Sequence, residues 1–283
     1  MTAPFIVGVP RSGTTLLRII LDAHPDLSIP PETGFIPKFW QLQKYEHELC
    51  KEDLVAQIMN ILLNTPDHAP AWSDFHLKKE DLISNLYSIE FLSTIEGLRS
   101  FYRTYANRFN KKYWGDKTPG HAFFVNQILE MLPEAKIIHM IRDGRDVAVS
   151  LRNKWFGPGH HMEKLATIWC NYIQAARKAI RSNRYLEIRF EDLITCLEDT
   201  IAKICLFLGL EMHDSMLHYY QKSSDRLNEH VSRFQKDNSL LVSKAQRMQQ
   251  SMLTTRCYRR IPVGTLILPD FIHKNLPIIN SGV

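Results

Sequence analysis

The chain has 283 residues, 45% of them apolar and 23% charged, with a formal net charge of +5. That composition describes a globular protein rather than a disordered or fibrous one. It shows no long Lys/Arg run interleaved with aromatics to suit nucleic acid and no apolar run near the ~18 residues of a membrane span. Five cysteines (Cys50, Cys170, Cys196, Cys205, Cys257) without a C-x-x-C pair fit neither a disulfide framework nor a structural zinc site and suit a reducing cytoplasm. The start, Met-Thr-Ala-Pro, runs into an apolar segment and leaves no room for a signal peptide.

In chain order, Phe5–Val9 reads as a buried strand, and Pro10 ends it. Arg11-Ser12-Gly13-Thr14-Thr15 follows, then a helical pattern through Leu16, Leu17, Ile20 and Leu21 that stops at His24-Pro25. A strand, a tight turn and a helix start form a phosphate seat, because unpaired N–H groups and the positive helix end face the anion. Gly8 and Gly13 fit the G-x-x-x-x-G frame of a nucleotide-triphosphate loop, but Thr14 stands where that motif has lysine; the charge sits earlier, at Arg11. The plainer reading is a Gly/Ser turn with no ligand.

Further strands are expected at Leu27–Ile29, Tyr113–Gly115, Lys136–Ile141 and Tyr185–Ile188. Helices separate them, including one over 121–131, a long one over Glu163–Arg184 and one over Asp199–Leu208 closed by Gly209. Alternation of strand and helix predicts an α/β fold: a P-loop-like parallel sheet flanked by helices. Residues 38–110 read as a helical insertion, broken at Thr65–Pro70, and the whole chain as one domain. After the strand ending at Ile141 comes Arg142-Asp143-Gly144-Arg145-Asp146-Val147-Ala148-Val149-Ser150. An arginine at a strand's carboxyl end and a serine two turns into the next helix suit a second phosphate.

The two motifs together, Pro-Arg-Ser-Gly-Thr-Thr and Arg-Asp-Gly-Arg-Asp-x-x-x-Ser, resemble sulfotransferases that use 3′-phosphoadenosine 5′-phosphosulfate (PAPS). The resemblance implies that Arg11, Ser12, Gly13, Thr14 and Thr15 hold the 5′-phosphosulfate. It gives Arg142 and Ser150 the 3′-phosphate, with 3′,5′-adenosine bisphosphate (PAP) as product and no metal. Leu21-Asp22-Ala23-His24-Pro25-Asp26 and Glu32-Thr33-x-x-Ile36-Pro37 are similar to the tyrosylprotein branch, where a glutamate at the position of Glu32 is the general base. Asp116-Lys117-Thr118-Pro119 matches a block whose lysine sits at the reaction centre, and Arg189-Phe190-Glu191-Asp192-Leu193 matches one that carries tyrosine in place of Phe190. The match covers roughly residues 4–210; the segment 222–283, with Arg259 and Arg260, aligns poorly.

These positions predict in-line sulfonyl transfer with Glu32 as base and Arg11 and Lys117 balancing the leaving-group charge. Glu32 in a dry pocket would have a raised pKa; the plain alternative is that it caps a helix starting near Thr33. His121 is the second candidate base, displaced in register by Pro119 and Gly120, with a structural role as its alternative. Tyrosylprotein enzymes carry arginine where Gly34 stands, so the expected acceptor is a small-molecule hydroxyl or amine. Its pocket is expected to include Phe35, Trp155 and His160. Soluble bacterial family members, rather than Golgi enzymes, are the nearer comparison. Peptide-tyrosine sulfation and a non-catalytic nucleotide-binding regulatory role are the alternatives.

Overall fold

The structure, a computed structural model, describes residues 2–64, 70–151, 154, 157, 159 and 161–219. Trp155, His160, most of the expected break at Thr65–Pro70 and the C-terminal segment with Arg259 and Arg260 lie outside the described residues. Four parallel strands form the main sheet in the order β4 (Asp116–Lys117), β1 (Ala3–Gly8), β5 (Ala135–Ile141), β6 (Tyr185–Arg189). A parallel pair, β2 (Leu27–Ser28) and β3 (Tyr113–Trp114), stands beside it.

The strand periodicity sorts side chains onto two faces. Ala3, Phe5, Val7, Ala135 and Ile137 face one core. It is built on helices α2 (Ile36–Gln43), α3 (Lys51–Leu63), α4 (Lys79–Ser88), α5 (Thr94–Asn107) and α6 (Val125–Met131). Ile6, Ile138, Met140 and Ile188 face the other, beneath α1 (Thr14–Asp22), α9 (Phe190–Thr195), α10 (Leu197–Leu208) and α11 (Asp214–Leu217). A smaller cluster joins Val9 to α7 (Gly144–Leu151) and α8 (Met162–Ala176). Helices thus cover both faces, as a buried parallel sheet requires. Among the described residues, no helix is long and apolar enough to cross a membrane.

Several elements differ from the sequence expectations. The helix expected over Glu163–Arg184 ends at Ala176 and tightens into a 3-10 turn at Arg177–Ala179. There the Arg177 guanidinium grips the Glu187 carboxylate of β6 through two N–H donors, at 2.7 and 2.9 Å. The helix expected over 121–131 begins as a 3-10 segment, Pro119–Phe124, and becomes α-helical only at Val125. Strand β4 is not among the expected strands; it exists because Phe5 and Ile6 of β1 pair with Asp116 and Lys117.

Candidate active site

Strand β1 delivers the glycine loop at its carboxyl end. Gly8 has φ +147°, and a Cβ there would run into the Met140 carbonyl of β5. Gly13, at φ +91°, is the N-cap of α1, and a Cβ on it would run into the Phe190 ring. Arg11 holds φ +76°, a left-handed conformation that a non-glycine residue adopts at a cost of ~1–3 kcal/mol. No side chain caps α1 and no acidic residue lies in its first turn, so its leading N–H groups and positive dipole end favour an anion. Ser12 is fully buried, and its Oγ has no hydrogen-bond partner among the described residues.

Strand β5 delivers the second motif. Arg142 follows its last residue, and the guanidinium lies 4.5 Å from the centre of the Phe190 ring. Its Nη1–H donates to the Arg11 carbonyl at 3.2 Å, and its buried Nε has no partner among the described residues. Trp169 of α8 donates to the Arg142 carbonyl at 3.0 Å. Asp143 Oδ1 accepts from the Arg145 amide at 2.8 Å, and the Asp143 amide donates to Glu191 at 2.9 Å, which fixes the turn into α7. Ser150, two turns along α7, accepts from Arg11 Nε–H at 3.0 Å. The two motifs therefore form one continuous surface. Two buried donors without partners, Ser12 Oγ and Arg142 Nε, and an uncapped helix start fit a nucleotide carrying separated phosphates.

A third group meets this surface from strand β4. Lys117 Nζ donates to Glu32 Oε1 at 2.5 Å and to Thr15 Oγ1 at 3.3 Å, so the ammonium touches both the carboxylate and the first turn of α1. The Lys117 side chain is 5% exposed; that of Glu32 is 43% exposed and open to a bound molecule. Burial pulls the Lys117 pKa below its ordinary value, opposed by the Glu32 charge and reinforced by the nearby Arg18 guanidinium. Tyr172 of α8 also senses Glu32: burial and then the carboxylate's charge push its phenol up. Its ring meets Phe123 edge-on at 4.7 Å, and Phe123 is 44% exposed.

Glu32 does not cap a helix. The next helix, α2, starts at Ile36 with Phe35 as N-cap, and the Glu32 carboxylate is on Lys117 rather than in a dry pocket. His121 is buried, with Nδ1 bonded to Asp116 Oδ1 at 2.8 Å. Phe35, expected in an acceptor pocket, is instead part of the core. It packs against Phe39, Phe75 and Phe101 with ring centres 5.1–6.3 Å apart. The spacing of Phe35 and Phe39, four apart on one helical face, is the signal of that core role. Sequence reading gave no role to Asp116, Thr33, Arg18 or Tyr172; each is placed at the site by tertiary contact alone.

A parallel sheet with a glycine loop feeding a helix start, and an arginine–serine pair at the neighbouring strand, defines an α/β protein built to hold nucleotide phosphates. The chain belongs to the sulfotransferase family, whose model matches residues 4–214. It is 26% identical over 257 residues to the protein-tyrosine sulfotransferase of Drosophila melanogaster, covering 88% of this chain and 44% of that one. It is 27% identical over 161 residues to the nodulation protein NoeE of Sinorhizobium fredii, covering 54% of this chain and 32% of that one. The chain thus spans less than half the length of either of these relatives. Among solved structures, the sulfotransferase domain of the Synechococcus PCC 7002 olefin synthase superposes with a TM-score of 0.54 at 21% identity. That match covers 92% of this chain and 96% of the other, and it shows the shared fold.

Proposed function

We propose that this protein transfers a sulfonate from PAPS to a hydroxyl or amine of a small-molecule acceptor. The observation that carries the reading is the Lys117 ammonium, held between Glu32 and Thr15 at the edge of the phosphate loop. The bound donor supplies an activated sulfonate and a phosphate leaving group. Arg11, Ser12, the α1 amides, Thr14 and Thr15 hold the 5′ end; Arg142 and Ser150 hold the 3′-phosphate. Lys117 places positive charge where the leaving oxygen gains electrons. Glu32, exposed on the acceptor side, takes the acceptor's proton at a carboxylate oxygen. Gly34, in place of the tyrosylprotein arginine, supports a small acceptor over an acidic peptide. The odd cysteine number and the free Cys50, Cys170, Cys196 and Cys205 support a cytoplasmic setting.

A second reading, sulfation of protein tyrosine, is favoured by the protein-tyrosine sulfotransferases of fly and worm among the relatives. Turnover of PAPS with panels of phenols, alcohols and amines, run beside an acidic tyrosine peptide, separates the two. Activity on the peptide alone would overturn the small-molecule reading. PAP binding without turnover of any acceptor would point to a regulatory nucleotide-binding protein. Glu32→Gln should abolish turnover with PAP affinity kept; normal turnover removes Glu32 from the mechanism.

A further inference from the structure

Directly behind the Glu32–Lys117 pair lies a second, fully buried set of polar groups. The Asp116 side chain is 0% exposed. Its Oδ1 accepts from His121 Nδ1–H at 2.8 Å. Its Oδ2 accepts from Thr33 Oγ1–H at 2.7 Å, from the Tyr102 hydroxyl at 3.0 Å and from the Thr118 hydroxyl at 3.5 Å. Thr118 Oγ1 in turn accepts from the Thr33 amide at 3.1 Å and the Gly34 amide at 3.5 Å. Burying a carboxylate is costly unless donors replace its water, and this one has four. An apolar residue would fill the same space without that cost.

What the network touches explains its presence. Thr33 follows Glu32 in the chain, and Asp116 precedes Lys117. Successive residues of an extended chain point to opposite sides. The inner pair, Thr33 and Asp116, faces the core, and the outer pair, Glu32 and Lys117, faces the ligand side. The loop carrying Glu32 has no regular secondary structure between β2 and α2, so its position relative to β4 is set by these side-chain bonds.

We propose that Asp116 is a positioning residue whose hydrogen bond to Thr33 fixes Glu32 against Lys117. This rests on the reading of Glu32 and Lys117 as the reacting pair. Although burial alone raises the Asp116 pKa, His121 and the hydrogen bonds from His121, Thr33 and Tyr102 hold it below the ordinary value.

The test uses Thr33→Val, which keeps the shape and removes the hydroxyl, beside Thr33→Ser, which restores it. Glu32→Gln is assayed in the same series with the best acceptor found. Thr33→Val should lower kcat at least ~10-fold, with acceptor KM and calorimetric PAP affinity within about twofold of wild type. Thr33→Ser should recover most of that loss. A crystal structure of Thr33→Val should show the Glu32 carboxylate displaced from Lys117. If Glu32→Gln is inactive but Thr33→Val keeps wild-type kcat, or loses PAP affinity in step with kcat, the positioning role is wrong and the reacting pair stands. If Glu32→Gln turns over normally, the reacting pair itself is wrong and the positioning role falls with it. Should Thr33→Val show no cooperative melting, Thr118→Val, which releases the Thr33 and Gly34 amides, takes its place with the same expected split.

Discussion

Arg11 Nε–H donates to Ser150 Oγ at 3.0 Å, although the two residues stand 139 positions apart. Arg142 adds a second tie through the Arg11 carbonyl. The two motifs are therefore a single bonded unit. Arg11→Ala and Ser150→Ala should each weaken PAP, and their effects should fail to add. A double-mutant cycle read by calorimetry should give a coupling energy of ~0.5–3 kcal/mol. Additive losses would show two independent subsites.

Gly13 and Gly209 both have positive φ, +91° and +72°, but only Gly13 has a neighbour where a Cβ would stand, the Phe190 ring. Gly209→Ala should cost about 1 kcal/mol from backbone conformation alone. Gly13→Ala should cost ~1–3 kcal/mol more and weaken PAP, since the same ring supports the Arg142 guanidinium. Urea denaturation of both variants decides the matter; equal costs would show that the ring yields freely.

Phe35 separates core from pocket. With its ring among Phe39, Phe75 and Phe101, Phe35→Ala should cost about 3–5 kcal/mol in denaturation experiments. A loss of acceptor affinity with stability intact would return Phe35 to the acceptor side.

Stability should fall as the medium is acidified below pH ~6.5. His139 is fully buried on β5, with Nδ1 on the Tyr185 hydroxyl at 2.6 Å and, among the described residues, no partner for Nε2. Burial lowers its pKa, more than the Glu187 carboxylate restores; His24 is lowered by burial as well. For a lowered histidine, the unfolded chain binds a proton before the folded one does. The stability contribution is complete above the unfolded value and is lost as pH drops toward the folded one. Each group adds a slope of at most ~1.4 kcal/mol per pH unit. Urea midpoints between pH 7 and 5 should show this slope, and His139→Gln should reduce it; an unchanged slope would exclude His139 as a source.

Most of the sheet and both strand–turn–helix motifs were legible because their signals are local. Apolar runs bounded by Pro10 or Arg142 mark strands, and glycine beside hydroxyl residues marks the loop. Strand β4 was not legible, since Asp116-Lys117 is polar and too short for any periodicity; only pairing with β1 makes it a strand. The end of α8 was hidden for a related reason. No glycine or proline stops the helix, and the Arg177–Glu187 contact that accompanies the turn is tertiary. Glu32 and Lys117 were named by resemblance, whereas the Asp116–Thr33 bond behind them leaves no pattern in the sequence. A two-residue strand and a loop meet there, and neither declares its partner.

Helix α8 carries Trp169 and Tyr172 three residues apart, on neighbouring turns of one face. The first holds the Arg142 carbonyl; the second stands within the field of Glu32 and against Phe123. One helix thus reaches both the Arg142 turn and the surroundings of Glu32. On the proposed assignment of Arg142 to the nucleotide, an acceptor that presses on Tyr172 would load the same helix that holds Arg142, so the two ligands should report on each other. By reciprocity, whatever factor the acceptor applies to PAP affinity, PAP must apply to the acceptor. Titrating PAP with and without a saturating acceptor would measure that factor; a value of one would mean that α8 gives way locally and carries no message.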